Sequence, residues 1–123
     1  PLVVSYATSP AAEIVFSEDA SINEPSTSVL PDSCYRQVEY AGVLAGAKNS
    51  AGAQAVIDAM LSRKVQEDIP LNMFVYPVRA DATLPEVFSN FTPVITNSTS
   101  LPPNQVSEQL ASLLDTWGTV MNR

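Results

Sequence analysis

Apolar and polar positions alternate with several different periods along the chain. Leu2-Val3-Val4 is a short apolar run that predicts a strand. A hydroxyl-rich stretch, Ser5-Tyr6-Ala7-Thr8-Ser9, comes next and leads to Pro10. Proline suits a first helical position, where its missing N–H has no partner to lose. Ser9 then falls at the N-cap, and Ala11, Ala12, Ile14, Val15 and Phe16 form a short amphipathic helix. Residues 17–33 are rich in Ser, Asp, Asn and Pro and predict a loop. Cys34 to Val43 reads as a strand, with Arg36, Val38 and Tyr40 on one face and Tyr35, Gln37 and Glu39 on the other. Neither face is purely apolar, which suits a strand at the border of a solvent-filled cleft.

The clearest helix comes after Lys48-Asn49-Ser50, with Ser50 as its N-cap. Val56, Ile57, Met60, Leu61 and Val65 form one stripe, and Pro70 is its expected stop. Met73 to Val78 predicts a strand ending near a rim at Pro77. Thr83 to Phe88 predicts a short helical turn, and residues 89–102 are irregular. A last helix begins near Pro103. Its stripe of Val106, Leu110, Leu113, Leu114, Trp117, Val120 and Met121 is expected to bury Trp117.

Composition narrows the partners. The 123 residues fit one domain and can bury roughly two-thirds of their unfolded surface. A net charge of −7 argues against a nucleic-acid groove and against an anionic membrane surface. With no histidine and one cysteine, the chain lacks the groups for His-based acid–base chemistry, Cys–His nucleophiles and an internal disulfide. The longest uncharged run, Val87 to Ser107, is interrupted by Pro93, Pro102 and Pro103, so no bilayer span is expected. The opening residues have no Met, basic n-region or apolar signal core. They are expected to enter a strand midway, in a trimmed chain or a piece of a longer one.

Three groups of residues could act on a ligand. At the strand-to-helix turn, helix N–H groups beside the Thr8 and Ser9 hydroxyls would make a small anion site, and Tyr6 could stack on a cationic or aromatic ring. Simple capping by Ser9 and a half-buried Tyr6 would account for the same residues. Phe74 and Tyr76 could line a pocket for a flat ligand or pack in a core. Tyr35 and Glu39 could receive an organic cation or form a solvated face. Cys34 is expected to be small and buried. The pairs Glu18-Asp19 and Glu67-Asp68 read as surface charge. Asn90-Phe91-Thr92 and Asn97-Ser98-Thr99 match a glycosylation triplet that matters only in a eukaryotic secreted chain. No motif signals catalysis, and no catalytic residue or cofactor is expected.

The order of these motifs resembles a known family. Leu2 to Ala11 is similar to the hydrophobic-S-Y-x-T-S-P-A segment of thiamine-binding proteins of ABC importers. Tyr35-Arg36-Gln37-Val38-Glu39 resembles their tyrosine–x–Q-V-E strand. Ser62 to Pro70, Tyr76-Pro77-Val78, Leu84-Pro85 and a last helix with a tryptophan come in the family's order. The resemblance covers essentially the whole chain, as the C-terminal third to two-fifths of such a protein.

That resemblance implies an α/β, periplasmic-binding-protein-like (type II) fold, incomplete here: the C-terminal part of a two-lobed protein. Residues 1–34 would end the second ligand-binding lobe, 35–42 would be a hinge-crossing strand, and 43–123 would finish the first lobe with its terminal helix. Tyr6, Ala7, Thr8 and Ser9 match family residues that contact ligand, and Tyr35 joins them as a candidate. Phe74 falls where the family tends to have a tryptophan, a departure that keeps an aromatic face and loses an indole N–H. The implied role is binding of thiamine or its phosphates between lobes and delivery to ABC permease subunits. The implied location is the periplasm or the extracellular face of the membrane, with a lipid anchor as one form. Alternatives are a ferric-iron or polyamine binder of the same superfamily, or an interaction module without a small ligand. Tyr35 and Tyr40 are not adjacent, which disfavours iron. Unpaired sheet edges would favour self-association of the chain.

Overall fold

The computed structural model describes residues 2–121. Five α-helices occur in order: α1 (Ser9–Val15), α2 (Ser50–Met60), α3 (Arg63–Met73), α4 (Glu86–Phe91) and α5 (Pro103–Met121). A 3-10 turn, Pro31–Ser33, interrupts the long loop after α1. α1 packs on α4, and α2 on α3.

The core is small and lies where α1 meets α4. Ala11 and Phe88 are both 0% exposed, and Pro10 is buried beside Ala11. Phe16, Phe74, Phe88 and Tyr76 form an aromatic ladder over this contact. Phe16 and Phe74 have ring centroids 5.1 Å apart, Phe74 stacks on Phe88 at 6.3 Å, and Tyr76 meets Phe88 edge-on at 5.8 Å. Offset-stacked and edge-to-face pairs suit the ring quadrupole and add to the burial itself.

The helices confirm much of the periodic pattern and correct several boundaries. Asn49, not Ser50, caps α2: its Oδ1 accepts the Gly52 N–H at 2.9 Å. Asn49 takes this role because Ser50 turns its hydroxyl back to donate to the Ala47 carbonyl at 3.2 Å. The single helix expected through Val65 is two helices. Ser62 adopts extended backbone (φ −64, ψ 148) and accepts from Val65 N, which restarts the chain as α3. Pro70 does not stop α3 but lies inside it, and Phe74 N–H still donates to the Pro70 carbonyl at 3.1 Å. A proline removes the donor on its N-terminal side only, so the turn after it closes normally. The short helix starts after Pro85, later than expected, and runs to Phe91.

The three expected strands do not form among the described residues. Leu2, Val3 and Val4 are exposed and unpaired. Cys34 to Val43 is extended, but its only ladder contact among the described residues is a parallel bridge between Tyr35 and Thr99. Thr99 N–H donates to the Cys34 carbonyl and Arg36 N–H to the Thr99 carbonyl, each at 2.8 Å. The third segment begins as the end of α3: Met73 is helical and Phe74 turns into the left-handed region (φ 54, ψ 35). A β-branched run becomes a strand only when a neighbouring backbone satisfies its N–H and C=O groups. Among the described residues only the single bridge at Tyr35 supplies such a neighbour, so the α/β expectation is met in its helices and not in a sheet.

Two burial expectations are also corrected. Cys34 is half-buried, with its thiol toward the Leu30 carbonyl at 3.8 Å. Trp117 is 52% exposed, and α5 buries none of its residues. The total surface of 9868 Å² far exceeds the roughly 6,400 Å² expected of a compact monomer of this mass. The apolar stripe of α5 is intact, but no other helix among the described residues packs closely along it. No helix among the described residues is long and apolar enough to cross a membrane.

Candidate functional site

An open crevice of about 2720 Å³ runs across the molecule. Its walls include the turn before α1, the extended segment after Cys34, and the chain from Met73 to Val78. Tyr6, Ala7, Thr8, Ser9, Tyr35 and Phe74 all line it. These six come from three separate stretches of sequence and border the same open space, as do about a third of the chain's residues. Glu39 and Tyr76, singled out for their charge and ring, line it as well.

The turn before α1 is built from local hydrogen bonds. Ser5 and Ser9 share a hydroxyl–hydroxyl bond of 2.6 Å, and Ser9 N–H donates to the Tyr6 carbonyl at 3.0 Å. Ser9 is the first residue of α1, and the preceding Thr8 makes no side-chain cap, which corrects the expected Ser9 N-cap. The N-terminus of α1 offers little to an anion. Ser9 N–H is spent on Tyr6, Pro10 has none, and Ala12 N–H goes to the Thr8 carbonyl at 3.1 Å. Ser5 and Ser9 carry the turn's accessible polarity, and the Tyr6 ring, 70% exposed, is free to stack.

Thr8 stands apart from its neighbours. It is 4% exposed, and its hydroxyl donates to the Phe74 carbonyl at 2.6 Å. Phe74 is the C-terminal cap of α3, a non-glycine residue with positive φ. The bond therefore satisfies the carbonyl of a backbone position that L-residues disfavour. No residue pattern signals this pairing, since the partner atom is a main-chain oxygen 66 residues away.

A second buried polar group fixes the far end of the same segment. Gln66 is 5% exposed. Its Nε2 donates to the Met60 carbonyl at 2.9 Å, satisfying the end of α2, and its Oε1 accepts from Val78 N–H at 2.8 Å. A glutamine on the polar side of a helix carries no sequence signal for such a bridge.

Carboxylates hold the loops that border the site. Glu13 accepts from Ser26 N–H at 2.7 Å and from the Thr27 hydroxyl at 2.9 Å. These bonds, the Ser26 ones foremost, lower its pKa from 4.5 to about 2. Glu67 accepts from Thr83 N–H at 2.9 Å and pairs with Arg63 at 2.8 Å, which likewise brings it to about 2. Asp81 lies below its ordinary value through its bond to Arg79. These groups are structural anchors. Glu67 and Asp81 lie outside the crevice lining.

Tyr35 Oη accepts from Leu101 N–H at 3.4 Å, which ties the extended segment to the chain before α5. Rings, hydroxyls, the Glu39 carboxylate and the Arg36 guanidinium thus line the crevice. Such a wall can stack on a flat ring and attract a cation, and it needs no covalent step to do so.

Comparison with known proteins gives two matches. The chain is 33% identical over 122 residues to the thiamine-binding periplasmic protein of Escherichia coli K12, covering 99% of this chain and 36% of that protein. It is 31% identical over 122 residues to the thiamine-binding periplasmic protein of Salmonella typhimurium LT2, with the same coverage. The chain thus spans about a third of the length of these relatives. No family model matches it, and no solved structure is significantly similar.

Proposed function

We propose that this chain is the C-terminal portion of a periplasmic thiamine-binding protein and supplies one wall of its ligand crevice. Similarity along nearly the whole chain to two proteins named for thiamine binding in the periplasm supports the ligand class and the compartment. The reading of the site is supported by Tyr6, Ser9, Tyr35 and Phe74 bordering one open crevice. The protein is a binder and not an enzyme, in line with the names of its relatives.

Thiamine joins a flat pyrimidine to a cationic thiazolium. Tyr6 and Phe74 would offer faces for the rings, and cation–π attraction is worth ~0.5–2 kcal/mol depending on desolvation. The net charge of −7 favours capture of a cation. The Ser5 and Ser9 hydroxyls are the accessible donors for a phosphate tail. The remaining ligand contacts belong to polypeptide outside this chain.

In this reading residues 35–42 cross between two lobes, with 1–34 and 43–123 on either side. Ligand binding closes the crevice by favouring the conformation with more contacts. The closed form is then recognised by the permease subunits of an ABC importer.

Mass spectrometry of small molecules released from the full-length protein tests the ligand class. Thiamine or a thiamine phosphate is the expected species. Ferric iron, a polyamine or no ligand would contradict the reading.

A further inference from the structure

We propose that Thr8 is a positioning residue, which acts on the ligand only through Phe74 by fixing the left-handed turn that orients the aromatic wall of the crevice. The ligand named in its test rests on the thiamine reading; the geometry does not.

The threonine hydroxyl has one proton to give, and that proton goes to the Phe74 carbonyl at 2.6 Å. The side chain is almost sealed, with Tyr6 exposed two residues before it. A ligand in the crevice therefore meets Tyr6 and not the Thr8 hydroxyl. The bond lands on the one non-glycine residue with positive φ among the described residues. There the Cβ crowds the following carbonyl, and such a conformation persists only where the surroundings hold it.

The aromatic wall is built directly on that turn. Phe74 contacts both Phe16 and Phe88, and Tyr76 meets Phe88 edge-on. The segment is held at both ends by buried side chains from outside it: Thr8 grips Phe74 O, and Gln66 grips Val78 N–H. The backbone of Thr8 is fixed in turn, since its carbonyl accepts from Ala12 N–H in α1. Loss of the hydroxyl frees the peptide after Phe74 to rotate toward negative φ, which swings the Phe74 ring and the chain to Tyr76. The Tyr6 turn and the Phe74 wall then lose their fixed spacing.

The test compares T8V, which keeps the shape and removes the hydroxyl, with T8S, which keeps the hydroxyl, in the full-length protein. Amide hydrogen exchange at Phe74 and Val78, whose N–H groups are bonded to the Pro70 carbonyl and to Gln66 Oε1, is read first and needs no ligand. Exchange accelerates in T8V and stays at the parent rate in T8S. An unchanged rate in T8V, or equal acceleration in T8S, overturns the proposal. Titration with thiamine and with thiamine monophosphate is read second. T8V weakens both by about fivefold or more, and T8S stays within about twofold of the parent. A loss confined to the phosphorylated ligand would mean that Thr8 touches phosphate, against the proposal. E67Q, at an anchor outside the crevice, lowers the melting temperature without moving either affinity. Weakening in E67Q equal to that in T8V would reduce the effect to general destabilisation and also overturn it. If the parent binds no thiamine, the ligand reading fails, while amide exchange still decides the role of Thr8.

Discussion

The hydroxyl of Thr8 donates to the main-chain carbonyl of Phe74 at 2.6 Å, joining positions 66 residues apart. The two residues open and close the same small core. Thr8 immediately precedes α1, whose Ala11 is fully buried, and Phe74 ends α3 with its ring stacked on Phe88 of α4. Phe88 is the largest fully buried side chain, so this core depends on it more than on any other residue. Phe88→Ala is expected to cost about 3–5 kcal/mol, as for other buried phenylalanines. Urea unfolding checks this, and a loss under about 1 kcal/mol would mean that the site collapses around the missing ring.

Gln66 offers a second measurement of how the crevice wall is held. Its amide bridges the Met60 carbonyl and the Val78 N–H inside the protein. Gln66→Leu keeps the volume and leaves both main-chain groups without that partner. The expected destabilisation is about 1–3 kcal/mol, read from the shift in the urea midpoint. A neutral result would show that water replaces the amide.

Acid should loosen the loops in a defined window. Glu13 and Glu67 both have their pKa lowered from 4.5 to about 2 in the folded chain. A depressed carboxyl pKa stabilises the fold above the unfolded value and loses that contribution as pH falls through the folded value. Stability is therefore expected to decline between about pH 4.5 and about pH 2. E13Q and E67Q should each flatten part of that decline in urea titrations across the same pH range. A variant whose decline matches the parent's would remove its carboxylate from this account.

The helices were legible in the chain because their signals are local. Pro10 near the start of α1, the stripe in α2, and the Pro103 start of α5 depend on neighbours within a few residues. The α2–α3 break is hidden because the apolar stripe runs on from Leu61 to Val65 across it, while the Ser62 cap shows in its extended backbone and in its bond from Val65 N–H. The strands expected at 2–4, 34–43 and 73–78 rest on side-chain pattern, yet a strand is defined by its partner. The described residues supply one bridge, Tyr35 to Thr99. At the site, positions 6–9, 35 and 74 border the crevice, while their expected ligand role comes from the family resemblance. The division of labour within them was not legible: Thr8 is turned inward by a bond to a main-chain atom, which no side-chain pattern encodes.

Helix α5 carries the clearest consequence of surface left open. Val106, Leu110, Leu113, Trp117 and Val120 alternate in steps of four and three along one face, and α5 has no buried residue. The 123-residue chain by itself is expected to associate with other copies in a concentration-dependent way. Added salt should strengthen that association by screening the −7 charge on each copy. Sedimentation velocity checks this, with L110K and L113K expected to shift the population toward monomer. A monomer at all concentrations would count against an apolar contact through α5.

The Tyr6 turn forms, in the reading proposed above, a wall of a thiamine site. Calorimetric titration of the full-length protein with thiamine, parent against Tyr6→Ala, puts that role to the test. Loss of a ring stacked on a desolvated cation is expected to weaken binding by about 1–2 kcal/mol, or about five- to thirtyfold. Equal affinity in the two proteins would refute it and leave Tyr6 a surface residue with no part in the site.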